Sequence, residues 1–98
     1  MKIKLFVANQ KMLSGRILAK SLVEKALDGQ AYDEYELDFD NIEMVNQSFM
    51  NELVRSVYCT NPRADIFVSN CMSDRIRERF EKEYKFVKSV YSKETVSH

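Results

Sequence analysis

The sequence contains little of what marks several large classes of protein. It has no tryptophan, two glycines, one proline and two cysteines in 98 residues. With glycine and proline so rare, no linker or low-complexity tract divides the chain, and no glycine-rich phosphate loop is present. We therefore expect a single domain over residues 1–98, because a chain of this length forms one hydrophobic core and not two.

An excess of charge and a long apolar run are also absent. Fifteen lysine and arginine residues are matched by fifteen aspartate and glutamate residues, so no net positive charge attracts nucleic acid or an anionic membrane. No apolar run approaches the roughly 18 residues of a transmembrane helix, and the apolar stretch near Met1 is too short for a secretory signal. We expect a cytoplasmic protein that binds neither nucleic acid nor membranes.

Residues suited to catalysis or metal binding are few. The only histidine is His98, at a terminus, whereas a general base usually needs a pKa near the working pH. Cys59 and Cys71 lack metal-ligand spacing, and in a cytoplasmic protein both are expected to be reduced thiols. We therefore expect no enzymatic activity, no cofactor and no metal.

Apolar residues at alternate positions predict strands at residues 3–7, 35–39 and 64–68. The polar side of the second strand is wholly acidic. A further strand at the edge of the sheet is indicated near the C-terminus, where lysines flank four residues: Phe86, Val87, Val90 and Tyr91.

Helical spacing predicts three helices between and after these strands. The first covers residues 17–27, with Ser14 as a cap and Asp28-Gly29 as a stop. The second runs from Gln47 to Tyr58 and has Asn46 as its cap. The third carries a narrow apolar stripe of residues four apart: Met72, Ile76, Phe80 and Tyr84.

Strands that alternate with helices need crossover connections and form a mostly parallel sheet. Because the strands are apolar only on alternate positions, helices should cover one face. The predicted fold class is α/β, with a small, mostly parallel sheet of about four strands and helices mainly on one face. The other face should be partly exposed and suggests a homodimer surface; its predicted residues are Lys4, Phe6, Glu36, Asp38, Asp65 and Phe67.

The stretch from Leu37 to Leu53 carries the most specific pattern in the chain. An acidic L-D-F-D strand leads through N-I-E-M-V into a helix that opens N-Q-S-F-M-N-E-L. This pattern resembles the STAS-like bacterial domain family of unknown function, and the similarity extends over roughly residues 2–86. The resemblance implies a STAS-like fold and a regulatory role in protein interaction.

A more distant similarity is to the STAS domains of anti-sigma-factor antagonists, in which a kinase of the histidine-kinase ATPase fold phosphorylates a serine. On that alignment Asn46 replaces the aspartate, Gln47 and Ser48 replace the two hydroxyl residues, and Phe49 replaces the glycine. Gln47 therefore stands at the position of the usual phosphoacceptor, and Ser48 stands at the position of the second hydroxyl residue. The resemblance implies a histidine-kinase-fold ATPase as partner and a switch by phosphorylation at Ser48.

The residues themselves leave two interpretations of the start of helix two. A serine in the first turn meets unpaired N–H groups that stabilise a phosphate, but the nearby Asp38, Asp40 and Glu43 repel one. Capping alone is the commoner role of Asn46 or Ser48. The candidate partner-binding or phosphoacceptor residues are Ser48, Asn46, Gln47, Asp38, Asp40 and Glu52, of which Glu52 is interpreted as structural.

Two alternatives to a regulatory module remain open. The acidic end of strand two lies where nucleotides and Mg²⁺ commonly bind in α/β folds, although a solvated polar face explains the same residues. A small nucleotide- or metal-binding protein would use this end. The second alternative is an inhibitor of a host complex that is carried by a phage or mobile element.

Overall fold

The structure is a computed structural model that describes residues 1–7 and 10–96. Within these residues it contains five strands and three helices. In chain order they are β1 (Lys2–Lys4), β2 (Met12–Leu13), α1 (Arg16–Leu27), β3 (Glu34–Asp38), β4 (Met44–Val45), α2 (Gln47–Thr60), β5 (Asp65–Ser69) and α3 (Asp74–Val96). None of the helices in this part of the chain combines the length and hydrophobicity needed to cross a membrane.

The main sheet has three parallel strands in the order β1-β3-β5. This confirms the α/β fold class and the parallel sheet, and the strands follow one another across the sheet in chain order. A second parallel sheet joins β2 to β4, with Met12 opposite Met44 and Leu13 opposite Val45. The sequence did not reveal this sheet, because strands of two residues have no measurable periodicity.

Helices cover one face of the main sheet, as the alternation of the strands predicts. On the covered face Ile3 lies opposite Leu37, and both are fully buried. On the other face Phe6 and Phe67 remain 56% and 39% exposed. The prediction that Asp38 is partly exposed on that face is wrong, because hydrogen-bond partners surround its carboxylate and leave it 5% exposed.

The predicted end of α1 and start of α2 are confirmed, whereas α2 ends at Thr60 and not at the predicted Tyr58, and the predicted cap of α1 is wrong. Asp28 adopts the left-handed conformation that ends α1, with φ 48°, and Gly29 follows with φ 77°. Asn46 caps α2 as predicted. Ser14 does not cap α1: the N-cap is Gly15, with no side-chain cap, because the chain turns there at φ 91°, which glycine adopts without strain.

The predicted C-terminal strand is wrong, because α3 continues without a break to Val96. Phe80, Val87 and Tyr91 follow one another at helical spacing and pack on the core, whereas Phe86 and Val90 are exposed. The four apolar residues from which the strand was predicted therefore lie on two different sides of one helix. Met72 is not in the helical stripe either, since it precedes α3 and is 79% exposed.

Candidate partner-binding site

Asn46 connects the starts of two helices to the small sheet. Its Oδ1 accepts hydrogen bonds from the N–H of Phe49, at 2.8 Å, and from the N–H of Gly15, at 3.4 Å. Its own N–H donates to the carbonyl of Leu13 in β2, at 3.2 Å. The helix cap predicted from the sequence therefore also fixes the position of α1 relative to α2.

The two residues after Asn46 present polar groups that the fold itself does not use. Gln47 is exposed and Ser48 is half-buried, and neither side chain forms a hydrogen bond to any residue that the structure describes. Both stand in the first turn of α2, where backbone N–H groups lack helical partners. Phe49 is fully buried and anchors this turn in the core.

Asp38 is a buried carboxylate at the end of β3. Its Oδ1 accepts hydrogen bonds from the N–H of Asp40 and from Nδ2 of Asn70, both at 3.0 Å, and Oδ2 lies 3.6 Å from Nζ of Lys2. Burial raises the pKa of Asp38, but the hydrogen bonds and Lys2 together outweigh it, so the pKa lies below its usual value. The predicted site residue Asp40 is exposed and supplies only its backbone to this arrangement.

This lowered pKa predicts a dependence of stability on pH. Asp38 contributes its full stabilisation above the ordinary pKa of 3.8, and loses it as the pH falls through the lower value of the folded state. We expect Asp38→Asn to cost about 2 kcal/mol at neutral pH, the value of a few charge-assisted hydrogen bonds, and the difference from wild type to shrink below about pH 4. Urea unfolding across pH measures this, with the exposed Asp65→Asn as the control; a difference independent of pH would contradict it.

Glu52 belongs to α2, its carboxylate lies close to Arg16 of α1, and the residue is only 4% exposed. Its carboxylate accepts hydrogen bonds from Arg55, at 2.6 Å, and from Ser56, at 2.9 Å, and it lies 3.6 Å from Arg16. Burial raises the pKa of Glu52, whereas these donors and cations lower it further than burial raises it. The Glu52 carboxylate, which the sequence analysis interprets as structural, is thus held by contacts within the fold.

No pattern in the sequence indicated that the ion pair of Glu52 belongs to a network that extends over all three helices. The Arg16 guanidinium donates to Oδ1 of Asn51 at 2.8 Å, and Nδ2 of Asn51 donates to Glu83 of α3 at 3.1 Å. Arg79 lies 3.7 Å from the buried Glu83. Because Asn51 and Glu52 follow Ser48 by one helical turn, this network adjoins the start of α2.

The described residues offer no arrangement suited to a metal. Within residues 1–7 and 10–96, no three histidine, cysteine, aspartate or glutamate side chains are placed to hold an ion together. Cys59 and Cys71 are free thiols. His98 lies outside the described residues.

A cavity of about 290 Å³ adjoins the acidic end of β3 and is lined by Lys4, Phe6, Asp38, Asp40 and Asn41.

The chain matches the model of a known family. The model of a family described as a STAS-like domain of unknown function matches residues 16–71, which is slightly more than half of the chain. The matched part includes α1, β3, β4, α2 and β5, and therefore Asn46 and the start of α2, but it does not include β2 or Gly15. No curated protein and no solved structure matches the chain.

Proposed function

The chain belongs to the STAS-like domain family of unknown function, and from this membership we propose that it is a non-catalytic regulatory module that binds a protein partner. The proposed contact region, the junction surface, consists of Met12, Met44, Asn46, Gln47 and Ser48. The observation that carries the proposal is that Gln47 and Ser48 have no internal hydrogen-bond partner among the described residues, while Asn46 fixes the backbone beneath them.

The composition of the junction surface supports a protein as its ligand. Met12 and Met44 lie opposite each other and are 60% and 48% exposed. Methionine side chains are flexible and polarizable, and they are frequent where proteins bind partners. Polar groups next to exposed apolar ones resemble the rim and core of an interface. A rigid backbone also reduces the entropy lost on binding.

The ionisable groups with shifted pKa values support a role without catalysis. The pKa values of Asp38 and Glu52 are lowered, and hydrogen bonds to Glu52 raise the pKa of Arg55. All three shifts favour the charged form of a group that is already engaged in internal contacts. A general base needs a pKa near the working pH instead.

We further propose that the partner is a histidine-kinase-fold ATPase and that Ser48 is the phosphoacceptor, as the similarity to the anti-sigma-factor antagonists implies. Ser48 is half-buried at a helix start, where N–H groups and the helix dipole stabilise added negative charge. Arg16 contacts Asn51 and Glu52 one turn further along the same side of α2. A phosphate on Ser48 would therefore lie near a cation as well as near the partner.

Ser48→Asp is expected to weaken partner binding at least about tenfold, equivalent to about 1.4 kcal/mol, because it places a charge in a desolvated contact. Isothermal titration against the histidine-kinase-fold ATPases of the same genome measures this. Ser48→Ala should bind almost as wild type does, and Arg63→Asp serves as a distant surface control, because Arg63 is exposed beyond the other end of α2. If Ser48→Asp and Met44→Asp both bind as tightly as wild type, the junction surface is not the contact.

A further inference from the structure

One face of the main sheet is left uncovered by the described chain. Across the three strands, Lys2 lies beside Glu36 and Glu36 beside Phe67, and the next row is Lys4, Asp38 and Ser69. Parallel sheets are usually covered on both faces. This face, the open sheet face, is therefore expected to lie against another molecule.

The open sheet face is acidic and contains two aromatic rings. It carries five carboxylates against two lysines, a net charge of −3 in a chain whose formal charge is zero. Those carboxylates belong to Glu34, Glu36, Asp38, Asp40 and Asp65. Phe6 and Phe67 are both exposed among them. A ligand for this face should be basic and also apolar.

The outer side of α3 has that composition. Residues three and four apart on a helix lie on the same side. Five residues of α3 have this spacing and are all exposed, and we call them the α3 stripe: Lys82, Lys85, Phe86, Ser89 and Val90. Phe86 is 56% exposed although it is a large apolar residue. The stripe points away from the core, which Phe80 and Val87 contact from the other side.

We propose that the α3 stripe of one copy packs on the open sheet face of a second copy, so that chains associate head to tail. Three strands about 4.8 Å apart span about 10 Å, which one helix of about 10–12 Å diameter covers. Phe86 of one copy would lie against Phe67 of the next, with the stripe lysines beside the carboxylates. The sheet would then have helices on both faces.

A face-to-face dimer through the two open sheet faces fits the charges less well. It would bring two net-negative surfaces together, and like charges opposite one another are destabilising. The head-to-tail contact instead joins two different surfaces. Each pair of chains therefore keeps one unoccupied open sheet face and one unoccupied α3 stripe. Such a contact continues into rings or chains longer than a dimer.

Sedimentation equilibrium tests the proposal with two variants and their mixture. The average mass of the wild type should rise with concentration from 11.5 kDa to more than twice that value. Phe67→Asp removes the aromatic ring of the face and Phe86→Asp that of the stripe, so each alone should stay at 11.5 kDa. Mixed in equal amounts, they retain one intact face and one intact stripe and should stop at a dimer. Raising the salt from about 0.1 M to 1 M shortens the Debye length to about 3 Å and should weaken every assembly.

The other outcomes overturn the proposal. If the wild type stays monomeric at all concentrations, the open sheet face does not bind a second copy of the chain, and its ligand is a different protein. A dimer that Phe67→Asp abolishes and Phe86→Asp does not affect is the face-to-face dimer. If the wild type associates but the mixture of variants stays monomeric while both variants unfold cooperatively at wild-type temperatures, the contact lies elsewhere.

Discussion

Phe49→Ala is expected to lower the free energy of unfolding by about 3–5 kcal/mol, the usual cost of emptying a buried aromatic site. Phe49 is fully buried in the first turn of α2, and its N–H donates to the cap on Asn46. Domains of this size are typically stable by about 5–15 kcal/mol, so the loss is a large part of the total. Urea unfolding of both proteins measures it directly.

Phe67→Ala is the matched control, because the same residue type stands on the open sheet face and is 39% exposed. It should cost about 1 kcal/mol or less, since little buried area is lost. Both variants are measured at low protein concentration to keep them monomeric. Equal losses for the two variants would contradict the position of Phe49 in the core.

Lys85→Pro is expected to cost about 3 kcal/mol or more. Lys85 is exposed, so the loss arises from the backbone: proline removes a helical hydrogen bond and clashes with the preceding turn. The break would also displace Val87, which is fully buried two residues later. In the strand predicted from the sequence, the same position would precede the first residue and would tolerate proline.

Lys85→Ala is the control for loss of the side chain, and it should leave stability almost unchanged, because alanine is an excellent helix former. Circular dichroism with thermal unfolding compares the three proteins. Wild-type stability in Lys85→Pro would mean that α3 ends before residue 85 and would restore the edge strand.

The parts of the fold that the sequence predicted are those where one pattern repeats on one side of an element. Alternation in β3 and helical spacing in α2 each lead to a buried face, and Asn46 caps α2 as its residue type suggests. The C-terminal strand failed for the opposite reason. Phe86 and Val90 are apolar but exposed, so they hide the helical spacing of Val87 and Tyr91.

The polar contacts of the site were less predictable than the elements that carry them. Asp38 fits the alternation of a solvated strand face, yet partners from β1 and from the end of β5 bury it. Those partners are distant in sequence, so no local pattern indicates them. Glu83 did leave a signal: it stands between Phe80 and Val87 at helical spacing and is buried with them.

The most direct test of the proposed function is intact-mass spectrometry after incubation with a histidine-kinase-fold ATPase, the proposed partner, and Mg-ATP. We expect the addition of one phosphate, located at Ser48, and none on Ser48→Ala. The phosphorylated protein should then bind the partner more weakly, as Ser48→Asp does. If no phosphate is added and Ser48→Asp binds as tightly as wild type, the proposed switch by phosphorylation is contradicted. Ser48 would then have no role beyond the first turn of α2.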